Sequence, residues 1–237
     1  MNWPMAILCG GLGARLGPLT QATPKCLIEV AGKPFLIHQI ELLRRHQLTR
    51  LVLCAGHMGE AIQRAVGDGR SLKVSIDYVF DGPTLLGTAG ALKKALPKLG
   101  EIFFVLYGDT YLDIDYQAPL AAMRQSGKQG LMTVFLNAGQ WDQSNVLFDQ
   151  GRIIRYDKRN PSPDMKHIDY GLGLLRREAF DHLAIDQPYD LADLYQELLD
   201  NNQLTGYEIT RRFYEIGSPR GLEETRAYLA SKMKGVS

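Results

Sequence analysis

Cysteine is scarce in this chain of 237 residues: Cys9, Cys26 and Cys54 are an odd number without paired spacing. No histidine cluster lies near them in the sequence, so neither a disulfide framework nor a zinc site is indicated. An excess of charge of either sign is also missing, because 27 Lys and Arg balance 26 Asp and Glu to a net charge of +1. Proteins that bind nucleic acid through its phosphates usually carry a basic excess or stripe, so nucleic acid is not an expected partner.

Long apolar runs are missing as well. Lys, Arg, Asp or Gly interrupts every candidate before the roughly twenty residues that a bilayer-crossing helix needs. The apolar run that ends at Cys9 is interrupted by Pro4 and has no positive residues before it, unlike a signal peptide. We therefore expect a cytoplasmic protein that does not bind membranes. Hydrophobic residues still make up 45% of the chain, which is enough for a substantial core.

Short β-rich apolar runs alternate with amphipathic helical patterns, which predicts an α/β fold with a parallel sheet and crossover helices. No linker divides the chain, so residues 1–237 are expected to form a single domain. Residues 145–175 differ, because short strand patterns separated by turn residues predict an inserted sheet or lid there. The expected strands span residues 5–9, 51–54, 74–80, 102–107 and 131–136, and the expected helices span 35–45, 58–66, 88–95, 119–125, 191–199 and 222–233.

The strongest local pattern is an apolar strand that runs into a glycine-rich loop. Gly10, Gly11 and Gly13 follow the strand, and the cations Arg15 and Lys25 follow the glycines. Glycine lets backbone N–H groups approach an anion closely, and Arg and Lys neutralise phosphate charge. The pattern therefore favours a triphosphate site over an ordinary strand-to-helix turn.

The run from Leu8 to Lys33 resembles the signature of the sugar-1-phosphate nucleotidyltransferases, usually written L-A-G-G-x-G-T-R-L-x-P-L-T…P-K-x-L…G-K-P. This chain departs from that signature at Cys9, Ala14 and Gly17. The resemblance implies a Rossmann-like mixed, mainly parallel sheet flanked by helices, with the 145–175 segment as a lid on the sugar side. It implies that the catalytic cations are Arg15, on the outer phosphates, and Lys25, on the α-phosphate. It also implies nucleotide contacts from Leu8, Gly10, Gly11, Gly13, Gly87 and Thr88.

A metal site is expected where a second apolar strand ends in Gly108-Asp109. A carboxylate at the carboxyl end of a parallel strand, beside phosphates, suits Mg²⁺, although Asp also caps turns. The segment from Tyr214 to Pro219 resembles the family's W-x-D-x-G-T-P segment, with Glu215 in place of Asp. The expected cofactor is Mg²⁺ and its expected ligands are Asp109 and Glu215, with an ordinary strand-end acid as the alternative for Glu215.

The nucleobase is expected near the segment from Gly87 to Ala91. Gly90 stands where thymidylyltransferases and some uridylyltransferases of the family carry Gln, so a base contact from Gln is absent. The segment resembles the G-T-G/A-G-A pattern of heptose-1-phosphate guanylyltransferases. This resemblance favours GTP and a heptose or mannose-type 1-phosphate as substrates.

The sugar phosphate is expected on the 145–175 segment. Asp157-Lys158 resembles the family's E-K-P, whose Lys binds the sugar phosphate, and Asp169-Tyr170-Gly171 aligns with the N-A-G segment that lines the sugar pocket. The expected contacts are Lys158, Asp157, Asp169, Gly171 and Asn145. Asp157, Asp169 and Asn145 are equally well read as turn residues.

The reaction implied by the resemblance converts an NTP and a sugar 1-phosphate into an NDP-sugar and pyrophosphate, as in the biosynthesis of nucleotide sugars for cell-envelope polysaccharides. An N-acetylmuramate-1-phosphate uridylyltransferase is the first alternative. A choline-phosphate cytidylyltransferase would need an aromatic cage, and a non-catalytic nucleotide-sugar sensor would bind without turnover. A dehydrogenase is disfavoured because Leu16 replaces the third glycine of the dinucleotide fingerprint. The expected assembly is a monomer or a homodimer.

Overall fold

The computed structural model describes residues 3–234. In this range the strands are β1 (Pro4–Leu8), β2 (Glu29–Val30), β3 (Lys33–Pro34), β4 (Arg50–Ala55), β5 (Ser75–Phe80), β6 (Ile102–Tyr107), β7 (Thr110–Tyr111), β8 (Gly130–Leu136), β9 (Val146–Asp149), β10 (Arg152–Tyr156), β11 (His167–Arg176), β12 (Leu204–Glu208) and β13 (Tyr214–Glu215). The α-helices are α1 (Phe35–Arg45), α2 (Gly59–Val66), α3 (Gly87–Ala95), α4 (Gln117–Ser126), α5 (Leu191–Asp200) and α6 (Pro219–Lys234). Short 3-10 helices cover Ala14–Thr20, Lys25–Leu27, Arg70–Leu72, Leu96–Lys98 and Arg177–Phe180.

A nine-stranded mixed sheet forms the centre of the molecule, in the order β10-β9-β11-β6-β1-β4-β5, with β8 paired to both β11 and β12. Strand β1 runs parallel to β6 and β4, and β5 continues the parallel half beyond β4. Met5, Ala6 and Ile7 of β1 are completely buried, as expected for a parallel strand covered on both faces. The predicted α/β fold with a mixed, mainly parallel sheet is confirmed.

Helix α1 follows the spacing of its own apolar residues, as the sequence predicts. Leu36, Ile40 and Leu43 lie on one stripe of the helix and are completely buried. Pro34 precedes the first helical residue, where its missing N–H costs no hydrogen bond. The helix begins and ends at the predicted residues, 35 and 45.

The segment 145–175 does not form a separate sheet. Strands β9 and β10 pair as an antiparallel hairpin, and the following β11 pairs with β6 in the main sheet. Strand β11 is buried over most of its length, so its apolar side chains belong to the core and not to an external lid. Its register against β8 shifts between Asp169 and Gly173, a bulge next to the sheet edge that carries the candidate site.

Strand β12 was not predicted. It runs parallel to β8 from Leu204 to Glu208, and it contains a glycine and a terminal acid that weaken the strand pattern.

Among residues 3–234, no helix has both the length and the apolar character that a bilayer span requires.

Candidate active site

The parallel strands β6, β1, β4 and β5 all end at one edge of the sheet. Two cavities open there, of about 260 Å³ and about 390 Å³, here called the first and the second cavity. Tyr107 and Asp109 line both cavities, so the two meet at the end of β6. The predicted residues that line the first cavity are Leu8, Gly10, Gly11, Lys25, Gly87, Thr88 and Asp109. Those that line the second are Arg15, Asp109, Asn145, Lys158, Asp169, Gly171 and Glu215.

The glycine loop combines open backbone with a tight turn. A Cβ atom on Gly11 would have no neighbour within 4 Å, so this stretch of the first cavity's wall is open to a ligand. Gly13 instead has a φ of +65°, and a Cβ there would lie 2.7 Å from Cγ2 of Thr20. Thr20 Oγ1 also donates to the Gly13 carbonyl at 3.1 Å. Gly13 lines neither cavity, and its lack of a side chain is required for the turn.

The two predicted catalytic cations occupy different cavities. Lys25 Nζ donates to Asp109 Oδ2 at 2.6 Å, and 20% of each side chain is exposed. Arg15 is largely exposed and pairs with Asp142 at 3.4 Å on the wall of the second cavity. An ion pair this exposed is weak and screened by salt, so Arg15 can exchange Asp142 for another anion.

Asp109, Glu215 and Arg15 converge at Gly217. A Cβ atom on Gly217 would lie 2.9 Å from Asp109 Oδ2, Glu215 Oε2 and Arg15 Nη2. Two carboxylates are hard oxygen donors, which fits a Mg²⁺ ion that takes one or two protein carboxylates. Among the described residues, no group of three or more His, Cys, Asp or Glu could hold a metal ion. A metal ion held by Asp109 and Glu215 would need further oxygen ligands from outside this pair.

Glu215 has a second role at the start of α6. Its carboxylate accepts hydrogen bonds from the Gly217 N–H and from the N–H and hydroxyl of Ser218, the Ser218 N–H at 3.0 Å. Ser218 Oγ in turn accepts from the Gly221 N–H at 3.0 Å, as an N-terminal cap of the helix. Glu215 therefore anchors a helix as well as facing the second cavity.

Gln39 supports the turn that carries Asp109, and no sequence motif pointed to it. The side chain is completely buried, and its Nε2 donates to the carbonyls of Tyr107 at 2.8 Å and Thr110 at 2.6 Å. These two carbonyls bracket Gly108 and Asp109. A polar residue inside the apolar stripe of α1 was the signal that could have revealed it.

The N–H groups at the start of α3 already have a hydrogen-bond partner in the segment before α5. The N–H groups of Ala89 and Gly90 donate to the Tyr189 carbonyl at 2.9 and 3.1 Å. A Cβ atom on Gly90 would lie 2.5 Å from the Gln187 carbonyl, so a side chain such as Gln does not fit there. Thr88 Oγ1 donates to Asp190 Oδ1 at 3.1 Å, which ties α3 to α5 beside the first cavity.

The residues expected to contact the sugar phosphate line the second cavity and also interact with one another; they are Asn145, Asp169, Gly171 and Lys158. Asn145 Oδ1 accepts from the Asp169 N–H at 2.9 Å, and Asp169 Oδ1 accepts from the Gly171 N–H at 3.0 Å. Burial raises the pKa of Asp169, while the N–H of Gly171 and the charge of Lys158 act in the opposite direction. The Lys158 ammonium lies in the second cavity, 5.6 Å from the ring centroid of Tyr107, a residue that lines both cavities.

Asp157 lies outside both cavities. Its Oδ1 accepts from the N–H groups of Arg159 and Asn160 at 2.9 and 2.7 Å. These bonds close the turn that carries Lys158 into the second cavity, which corresponds to the turn alternative left open for this residue.

The fold and the paired cavities define an α/β protein that can hold two polar ligands side by side at the ends of its parallel strands. The chain belongs to the nucleotidyl transferase family, whose sequence profile matches residues 5–228. It is 28% identical to the mannose-1-phosphate guanylyltransferase catalytic subunit beta of Drosophila melanogaster, over 90% of this chain and 59% of that protein. It is 29% identical to the N-acetylmuramate alpha-1-phosphate uridylyltransferase of Neisseria meningitidis serogroup B, over 93% of this chain and 96% of that protein.

The structure resembles that of HddC from Yersinia pseudotuberculosis complexed with GMP-PN, with a TM-score of 0.80 and 21% identity. The match covers 96% of this chain and 99% of that chain and supports the fold. Several curated relatives are considerably longer, and this chain spans 64% and 59% of the lengths of two of them.

Proposed function

We propose that this protein transfers a nucleoside monophosphate from an NTP to a sugar 1-phosphate, which yields an NDP-sugar and pyrophosphate. The observation that carries the proposal is the meeting of the two cavities at Asp109, with Lys25 in the first cavity and Arg15 and Lys158 in the second. Two adjoining cavities with cations suit two phosphorylated substrates whose phosphates have to meet.

The protein's own residues bind and align the substrates. A sugar 1-phosphate is already anionic, so its oxygen can attack the α-phosphorus without a nucleophile from the protein. Lys25 would hold the α-phosphate, Arg15 the outer phosphates and Lys158 the sugar phosphate, which opposes the repulsion between two anions and stabilises the charge of the transition state. Asn145 and Asp169 are proposed to accept sugar hydroxyls, and the backbone of Gly171 to line the sugar pocket.

Mg²⁺ is part of the proposal, with Asp109 and Glu215 as the residues that would hold it. When bound, the ion neutralises phosphate charge beside the reacting phosphorus. Lys25 pairs with Asp109, and Arg15 lies near Asp109 and Glu215 at Gly217, so the chain gathers acidic and basic groups where phosphates are expected.

The proposed substrates are GTP and a heptose or mannose-type 1-phosphate. The Gly87–Ala91 segment and the similarity to a mannose-1-phosphate guanylyltransferase support this choice. UTP with N-acetylmuramate 1-phosphate is the second candidate, because the uridylyltransferase of that name is matched over 96% of its length. Arg15 and Lys158 in the second cavity disfavour a quaternary ammonium such as choline.

The location proposed is the cytoplasm, and the biological role is the biosynthesis of nucleotide sugars for the cell envelope. Cys9, Cys26 and Cys54 are buried free thiols, a state that a reducing compartment maintains.

The test is pyrophosphate release with Mg²⁺ from a matrix of nucleoside triphosphates and sugar 1-phosphates. We expect one pair of substrates to dominate, and Lys25→Met to abolish most of the turnover. Lys98→Met is the matched control, since Lys98 forms an exposed pair with Asp77 at 2.8 Å on the surface. No pyrophosphate from any pair of substrates would reject the proposed activity. Nucleotide binding without that turnover would favour a sensor.

A further inference from the structure

Two of the three cysteines lie together at the first cavity. Cys9 follows β1 and Cys26 follows Lys25, and both line the first cavity although only 7% and 3% of these residues is exposed. They pack in one apolar cluster on the α1 side of the sheet. Cys54 packs on the opposite, α3 side, where its thiol donates to the Ala91 carbonyl at 3.9 Å. The fold therefore brings one pair of thiols together and directs the third thiol elsewhere.

The thiols of Cys9 and Cys26 are in contact. A hydrogen bond between these two side chains is the main cause that raises the pKa of Cys9 well above its ordinary value, and burial adds to it. Gly108 makes room for the arrangement, because a Cβ atom on this glycine would lie 3.0 Å from Cys9 Sγ. Two sulfur atoms in contact need less movement to form a disulfide than any other arrangement of two thiols.

The first cavity gives a small oxidant access to this pair. Its volume is about 260 Å³. Hydrogen peroxide is little larger than a water molecule, which occupies about 30 Å³ in the liquid. The thiolate is the nucleophile in thiol oxidation, so a buried thiol with a raised pKa reacts slowly. We therefore expect a slow reaction that is confined to the thiols facing the cavity.

We propose that Cys9 and Cys26 form an oxidative modification site, at which hydrogen peroxide converts the two thiols into a disulfide. One thiol loses its proton and attacks a peroxide oxygen, which yields a sulfenic acid and one water molecule. The second thiol then attacks the sulfenic sulfur, and a second water leaves as the S–S bond forms. Two electrons pass from the sulfur atoms to the peroxide, so no further reactant is needed.

The disulfide is expected to switch off the first cavity, a consequence that rests on the proposed function. A disulfide holds its sulfur atoms about 2 Å apart, so both residues have to move. Cys9 directly precedes Gly10, and Cys26 directly follows Lys25, the residue proposed to hold the α-phosphate. Forming the bond therefore displaces Lys25. A displacement of about 1 Å at a reacting centre is enough to lower turnover by about 100-fold.

The competing explanation is that Cys9 and Cys26 serve only as small apolar side chains of the core. In that case the folded protein keeps both thiols when peroxide is added. The two explanations therefore predict different numbers of free thiols in the same sample.

The test treats the reduced full-length protein with hydrogen peroxide, unfolds it, and counts the thiols that react with a maleimide. The count should fall from three to one, and the intact mass should fall by two hydrogen atoms. Peptide mapping should join the peptide that contains Cys9 to the one that contains Cys26. Pyrophosphate release should fall by about 100-fold and return after reduction with dithiothreitol.

Cys9→Ala introduces the residue that the family signature has at this position, and it should form no disulfide. Cys26→Ala should behave in the same way. Cys54→Ala is the matched control, as the removal of a buried thiol on the other face of the sheet, and its count should fall from two to none. Three free thiols in the treated wild type, or a disulfide that includes Cys54, would overturn the inference. Peptide mapping of the wild type needs no variant, so it decides the matter even where a variant does not fold.

The modification and the activity are measured separately. A disulfide between Cys9 and Cys26 that leaves pyrophosphate release unchanged would overturn the predicted displacement of Lys25. A disulfide in a protein that releases no pyrophosphate from any pair of substrates, even when reduced, would reject the proposed function and support the modification site.

Discussion

Replacing Gln39 with Leu should loosen the turn that carries Asp109. The change removes two hydrogen bonds, to the carbonyls of Tyr107 and Thr110, and leaves both acceptors buried. Each such loss costs about 1–3 kcal/mol. Gln39 Oε1 is itself buried and without a partner among the described residues, so its removal offsets part of this cost. We expect a net loss of about 2–3 kcal/mol in the free energy of unfolding.

For a chain of this length that loss lowers the melting temperature by about 4–12 °C. The functional readout is the Mg²⁺ concentration for half-maximal pyrophosphate release, which should rise because the Asp109 carboxylate is less firmly placed. Gln63→Leu, the same change on an exposed face of α2, should alter neither value. A Gln39→Leu protein that melts with the wild type, or that keeps its Mg²⁺ requirement, would refute the reasoning.

Three further predictions follow from contacts near the cavities. Lys25→Met should lower kcat about 100- to 1000-fold. It should also lower the melting temperature, because only 20% of each side chain is exposed and Asp109 loses its partner; a normal kcat would contradict this. Gly217→Ala should lower the rate of pyrophosphate release, since its Cβ would lie 2.9 Å from three charged groups. Gly100→Ala, whose Cβ has no contact closer than 3.8 Å, should leave that rate unchanged, and equal rates for the two variants would count against the convergence of charged groups at Gly217. Burial raises the pKa of Cys54 from 9.0 to about 12, so the unfolded chain loses the thiol proton first and stability should fall as pH rises from 9 towards 12. Thermal melts at pH 8 and pH 10.5 should show a smaller drop in melting temperature for Cys54→Ala than for the wild type, and equal drops would contradict the assignment.

The parts of the fold that depend on local order were predictable. Helix α1 and strand β6 match their predicted bounds, because each is defined by the spacing of its own apolar residues. Gly10, Gly11 and Lys25 also lie at the first cavity, since a strand followed by glycine and a cation positions these groups within a short stretch of chain. The family signature that they form is confirmed by the match over residues 5–228.

The parts that depend on distant pairing were not predictable from local patterns. The place of β11 in the main sheet is decided by its pairing with β6, across more than sixty residues of sequence. The support that Gln39 gives to the Asp109 turn joins α1 to residues about seventy positions further along the chain.

The most direct measurement is a crystal structure with a non-hydrolysable triphosphate and Mn²⁺ in place of Mg²⁺, with the ion located by its anomalous signal. The account predicts an anomalous peak beside Asp109 and Glu215, phosphates against Lys25, and the base in the first cavity. A nucleotide bound elsewhere, or an ion that contacts neither carboxylate, would contradict it.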